Sequence, residues 1–240
     1  MPSQLHPLEV NPTTGEPFLR LKSHNNIILT PPRLSDIAIL PEYFNDSRVY
    51  GWLSSPPQPY LPEHAEQWIA KSKGETDNVL SALAAAETSE QLLTVDQVPV
   101  RAIREVREDG TEAFIGDMGI LRTPYGELMG SEVDWEKKAG REKENATLPV
   151  GDPNIVWSIG FYLAPSHHGK GIMSDVLATV LHDWAIPRMC VRRLLCNVFV
   201  GNEGSMGVFR KNGFVLTRTI ENHVEARGEK RSIHVYEWNA

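Results

Sequence analysis

The chain has 240 residues, 41% hydrophobic and 23% charged, which excludes a disordered or fibrous polymer and leaves a core that needs no disulfide or metal staple. Lys and Arg number 24 against 31 Asp and Glu, a net charge of −7, so phosphate backbones are repelled overall and nucleic acid is not expected as the main ligand. No run approaches the roughly 20 apolar residues of a membrane-spanning helix, and Met1 to Phe18 lack a signal peptide's apolar stretch, so the expected location is the cytoplasm, with the nucleus as the alternative.

Residues 1–26 hold Pro2, Pro7, Pro12 and Pro17 without sustained periodicity and are expected to form an irregular arm ahead of a single domain, 27–240. Ile27 to Leu29 read as a strand stopped by Pro31-Pro32, after which Ser35-Asp36 offers an N-cap for a helix carrying Ile37, Ile39 and Leu40. The segment SSPPQPYLP cannot be regular, and a second helix is expected from about Pro62, with Ala65, Trp68 and Ile69 on one face. Segments 101–107 and 112–121 flank Asp109-Gly110, a dipeptide suited to a tight turn with φ > 0, and read as a hairpin.

Residues 123–154, with Pro124, Gly126, Gly130, the run EKKAGREKEN, Pro149, Gly151 and Pro153, read as an inserted loop, either solvated or a flap over a cleft. Ile155 to Leu163 is dense in β-branched and aromatic residues, as in a strand buried on both faces, and Pro165 ends it. From Ile172 to Trp184 the apolar residues recur at helical spacing until Pro187 closes the element. A strand over 194–200, a short helix over 203–212 ended by Gly213, and strands over 214–220 and 233–238 complete a mixed α/β domain. Cys190 and Cys196 lack the number and spacing of a zinc site; they read as core thiols of a reducing compartment, and no metal is expected. Arg188, Arg192 and Arg193 are an example of a local basic patch against this overall charge.

The turn HHGKG between a strand and a helix has the chemistry of a phosphate site. The free amides of the first helical turn point outward, the dipole adds positive charge, and glycine permits close approach; a plain tight turn is the alternative. A dinucleotide fingerprint would need glycine where Ser174 stands, and a P-loop would need a glycine that is not there. Ser205 in Gly204-Ser205-Met206-Gly207 superficially suggests a hydrolase nucleophile, but Glu203 occupies the first glycine's place.

The order IGFYLAP, HHGKG, amphipathic helix, strand, Asn202-x-x-Ser205 and Lys211-Asn212-Gly213-Phe214 resembles the GNAT superfamily of acetyl-CoA-dependent N-acetyltransferases, most closely the ribosomal-protein-alanine branch. The resemblance extends upstream through LTPPRLSDIAILPEYFNDSRVYGWLSSP and FIGDMGILR, so it covers about 27–238 apart from the insertion. It implies a twisted mixed sheet of about six to seven strands, helices on both faces, and a V-shaped splay between the fourth and fifth strands, here 155–163 and 194–200. Pantetheine lies in such a splay.

The family's Gln/Arg-x-x-Gly-x-Gly/Ala pattern falls on His168, Gly169, Lys170, Gly171, Ile172 and Met173, with His168 and Met173 departing from it. The resemblance places the diphosphate on these amides and on Ser174, the cofactor arm against Asn202 and Phe209, and an oxyanion donor near Phe161 to Leu163. It implies acetyl transfer from acetyl-CoA to a primary amine, a protein N-terminus or a small amine, by direct attack in a monomer or homodimer. The family's frequent tyrosine acid is replaced by Phe209 and its frequent glutamate by Ser158. Ser205 is then the candidate acid, with a helix-cap hydroxyl as the alternative, and Glu132 and Asp117 are candidate bases beside ordered water. An acyl-CoA-binding module with little catalysis is the competing function.

Overall fold

A computed structural model describes residues 3–240; Met1 and Pro2 of the expected arm lie outside the described residues. The arm is more ordered than expected. Glu9–Val10 (β1) pairs antiparallel with Pro17–Arg20 (β2), which pairs in turn with Ile27–Thr30 (β3). Strands this short carry too few alternations to register in a sequence pattern, and Pro17 is tolerated because it opens its strand. What anchors them is tertiary: Leu19 and Leu21 are buried in the main core.

Arg33, not Ser35 or Asp36, caps the next element, a 3-10 turn over Leu34–Ala38. Asp36 stands three residues in, where its Oδ2 accepts the Arg33 N–H at 2.8 Å. Leu40–Asn45 (α1) and Ser47–Tyr50 (α2) follow, then the irregular proline segment, then Pro62–Ala85 (α3), which buries Ala65 and Ile69 with Trp68 half-buried beside them. Ala102–Val106 (β4) and Glu112–Arg122 (β5) form the expected hairpin, with Gly110 at φ +81°.

The insertion is not a bare loop. It contains a 3-10 turn over Gly126–Leu128 and a helix, Lys138–Thr147 (α4), built from the helix-forming run read as solvated. Asn145 docks α4 onto the next strand: its Nδ2 donates to Val156 O at 2.8 Å and its Oδ1 accepts the Val156 N–H at 2.9 Å. Arg122 donates to the carbonyls of Asn145 and Leu148, satisfying the helix's C-terminal end.

Val156–Leu163 (β6) leads to Ile172–Val180 (α5), Arg193–Phe199 (β7), Glu203–Lys211 (α7), Val215–Ala226 (β8) and Glu229–Asn239 (β9), the last two longer than expected. Pro187 does not close the long helix. The chain passes through a π turn over Leu181–Ala185, with Ile186 N–H bonded to Leu181 O, into Ile186–Met189 (α6); the wider turn accommodates the proline's missing N–H. The basic cluster also dissolves, because Arg188 is buried and donates to the carbonyls of Gln4, His6 and Leu93 while Arg193 pairs with Glu237.

One mixed sheet of nine strands, more than expected, runs β1-β2-β3-β4-β5-β6-β7-β9-β8. Every neighbouring pair is antiparallel except β6 and β7, which are parallel and meet only at Val156 with Arg193 and Trp157 with Leu194 before diverging. The splay explains why β6 is not buried on both faces throughout: its ends are, but Ile159 and Phe161 are half-buried and Gly160 is exposed. Alternate residues feed opposite layers. Ile103, Ile115 and Trp157 join the core under α5, whereas Ala102, Phe114 and Tyr162 pack against α1 and the start of α3. Among the described residues no helix is long and apolar enough to cross a membrane.

Candidate active site

Hydrogen-bond parity decides which amides of β6 are free. Ala164 N–H donates to Ile115 O and Thr123 N–H to Val156 O, so residues 156, 158, 160, 162 and 164 face β5 and residues 157, 159, 161 and 163 face β7. Beyond Trp157 the β7 side is open, which leaves the N–H groups of Phe161 and Leu163 aimed into the gap. Ile159 lies beside the buried Cys196 thiol near the apex. The gap widens into a cleft of about 870 Å³ that reaches the glycine turn at one end and the insertion at the other.

At the first end, Gly169 and Gly171 have φ +73° and +81°, backbone conformations that side chains strain. Gly171 is the N-cap of α5; its carbonyl takes the N–H groups of Ser174 and Asp175, so the open amides are those of residues 169 to 173 and not that of Ser174. His168, expected at the cofactor, turns its Nε2 to Leu163 O at 2.9 Å and ties the turn to the strand. Met173, where a small residue was expected, packs into the main core. Gly169, Gly171, Ile172, Met173 and Ser174 line the cleft together with Phe161, Leu163 and His168; Lys170 does not.

From α7, Asn202, Ser205 and Phe209 line the same cleft. Asn202 caps the helix, its Oδ1 accepting Ser205 N–H at 3.1 Å, which leaves its Nδ2 free for a ligand and the Ser205 hydroxyl free of a capping role. Phe209 stacks on Tyr236, meets the tilted rings of Phe161 and Phe214, and forms an apolar floor.

Neither expected base stands in the cleft. Both carboxylate oxygens of Asp117 accept from Arg101 at 2.9 Å in a buried pair, so this group is committed elsewhere. Glu132 is exposed on a separate shallow depression beside Val133 and Arg141. Three other carboxylates line the cleft, Glu127, Glu203 and Glu225; of these Glu127, five residues before Glu132, is buried, at 3% exposed. Its Oε2 accepts from Lys138 Nζ at 2.6 Å, its Oε1 lies 3.4 Å from His223 Nε2, and Trp135 stacks on the His223 ring. His223 comes from β8, so no local spacing joins it to Glu127, and sequence reasoning missed both. Arg48, Trp52, Tyr125 and Glu225 complete this end.

Burial raises the Cys196 thiol from 9.0 to about 12. Its share of stability is present below the unfolded value near 9 and is lost as pH rises toward the folded one. Cys196 is therefore expected to resist iodoacetamide at pH 8 until the chain is unfolded, read by mass spectrometry, whereas half-buried Cys190 reacts first.

The family described as Acetyltransferase (GNAT) domain matches residues 26–215. The chain is 34% identical over 70 residues to the Bacillus subtilis (strain 168) protein named probable N-acetyltransferase YjcK, a match over 29% of this chain and 38% of that relative, well under half its length. Among solved structures, it is similar to Mycobacterium smegmatis RimJ in complex with CoA-disulfide, at 19% identity and TM-score 0.58, over 94% of this chain and 87% of that one. It is also similar to the Microcin C7 self immunity acetyltransferase MccE in complex with acetyl-CoA and AMP, at 13% identity and TM-score 0.59, over 92% and 98%. At these identities the two structures establish the fold alone.

Proposed function

The chain belongs to the GNAT acetyltransferase family, and from that premise we propose that it is an acyltransferase that moves an acetyl group from acetyl-CoA to a primary amine by direct attack in a ternary complex. The observation that carries this reading is the coincidence, in one cleft, of open amides at residues 169 to 173 with the unpaired edge of β6. The amides at the start of α5 suit a diphosphate. Phe161 and Leu163 offer N–H groups to the pantetheine amides and to the developing thioester oxyanion, as an added strand would be met. Ser205, across the gap on α7, donates to the departing thiolate.

The acceptor enters at the end lined by Glu127, His223 and Glu225. Carboxylates there favour a cationic amine, a protein N-terminus or a small amine, and Trp135 and Trp52 offer apolar faces beside it. An ammonium must lose a proton before it attacks, and His223, held between Trp135 and Glu127, is the group placed to accept it. Once bound, alignment of amine and thioester supplies much of the acceleration, so modest acid and base help suffices.

The test is release of free thiol from acetyl-CoA by the purified protein across a panel of N-terminal peptides and small amines, with coenzyme A binding followed by calorimetry. Turnover with at least one amine is expected. Binding with silence across the panel would leave an acyl-CoA-binding module in place of the enzyme, and no coenzyme A uptake at millimolar ligand would overturn the cofactor site itself.

A further inference from the structure

We infer that His24, which precedes the matched domain, is a positioning residue that holds the glycine turn open for the diphosphate and offsets a carboxylate lodged beside it; this rests on the cofactor reading above. Asp175 lies in the first turn of α5 and its side chain is 9% exposed. A carboxylate there suits the helix dipole, but it stands at the end of the helix where the bound diphosphate would lie, and like charges in a half-buried place repel. The chain answers with His24. Its Nδ1 is 2.8 Å from Asp175 Oδ2 and its Nε2 is 3.1 Å from Lys170 O, while Ser23 N–H donates to the same carboxylate oxygen at 2.9 Å.

Both ring nitrogens thus face acceptors. A neutral imidazole has one N–H and can satisfy only one of them, whereas the imidazolium donates to both. The ring also lies against the turn: a Cβ added to Gly171 would meet His24 Cε1 at 3.9 Å. The other charged groups nearby point elsewhere. Lys22 Nζ is paired with Asp183 at 2.8 Å, His167 Nε2 lies 3.5 Å from Glu105, and His168 Nε2 is bonded to Leu163 O. His24 therefore stitches the N-terminal segment to the carbonyl of Lys170 and to α5 at once, and fixes the peptide planes whose N–H groups face the cleft.

The test compares acetyl-CoA with S-acetylpantetheine, which carries the same thioester and no diphosphate, in the wild type, His24→Gln, Asp175→Asn and the double variant. His24→Gln is expected to raise KM for acetyl-CoA about fivefold, the scale of one charge at a helix terminus, with kcat and the S-acetylpantetheine KM unchanged. In the Asp175→Asn background the same substitution is expected to cost less, because no carboxylate remains to be offset and only the bond to Lys170 O is lost. Where His24→Gln folds poorly, His24→Asn takes its place in the same comparison of the two thioesters.

Equal acetyl-CoA KM values in wild type and His24→Gln would overturn the inference and leave the cofactor reading standing. An equal loss with both thioesters would overturn it in favour of a structural tie. A wild type that binds no coenzyme A would remove the cofactor reading, and this inference with it.

Discussion

Arg104→Leu is expected to destabilise the fold by about 3–5 kcal/mol, because it strands a buried carboxylate. Arg104 and Asp36 are each 2% exposed. The guanidinium donates to both Asp36 oxygens at 2.8 Å and to Thr30 Oγ1 at 2.7 Å, and it lies over the Phe114 ring. Removing one partner leaves the other's charge desolvated; removing both leaves only the loss of hydrogen bonds and packing. The double variant Asp36→Leu, Arg104→Leu should therefore recover much of the loss in urea denaturation, and equal or additive losses would refute the account. The pair also bears on the site. It pins the 3-10 turn after β3, from which the chain runs through α1 into α2 and the Arg48 to Ser55 wall of the cleft. The single variant should lose activity at temperatures where it remains soluble, before global unfolding.

Ser205→Ala is expected to lower kcat about 100-fold with little change in the KM for acetyl-CoA, the effect of removing one positioned general acid. Stability should change by less than about 0.5 kcal/mol, because the cap of α7 is the Asn202 side chain and the alanine keeps the N–H that it accepts. An acetyl thioester of a more acidic thiol should suffer a smaller loss, since its leaving group needs less help. An unchanged kcat with acetyl-CoA would show that the thiolate departs unaided, and Ser205 would then be a wall of the cleft only.

The near-sequence features were legible because each rests on short-range chemistry. Asp109-Gly110 specifies its hairpin through the turn's dihedrals, HHGKG followed by an apolar helical period specifies a strand, turn and helix, and Asn202-x-x-Ser205 brings a cap and a hydroxyl one turn apart on α7. The first two strands escaped notice because two to four residues show no period. Pro187 was misleading because a π turn, stabilised by packing of Leu181 and Trp184 in the core, absorbs a residue that would break an isolated helix.

At the other end of the cleft the sequence offered carboxylates without saying which faces it. Asp117 and Glu132 were the candidates, but Arg101 claims the first and solvent the second, while Glu127, which the sequence did not single out, lies where Lys138 and His223 converge. The sequence alone determined the glycine-turn end of the cleft, where glycines, a helix start and a cap act through the backbone within a few residues of one another. Only the tertiary structure decided which side chains share the other end, and which amides the diverging strands leave open, because burial and pairing across 96 positions from Glu127 to His223 follow from how the sheet closes and not from any spacing along the chain.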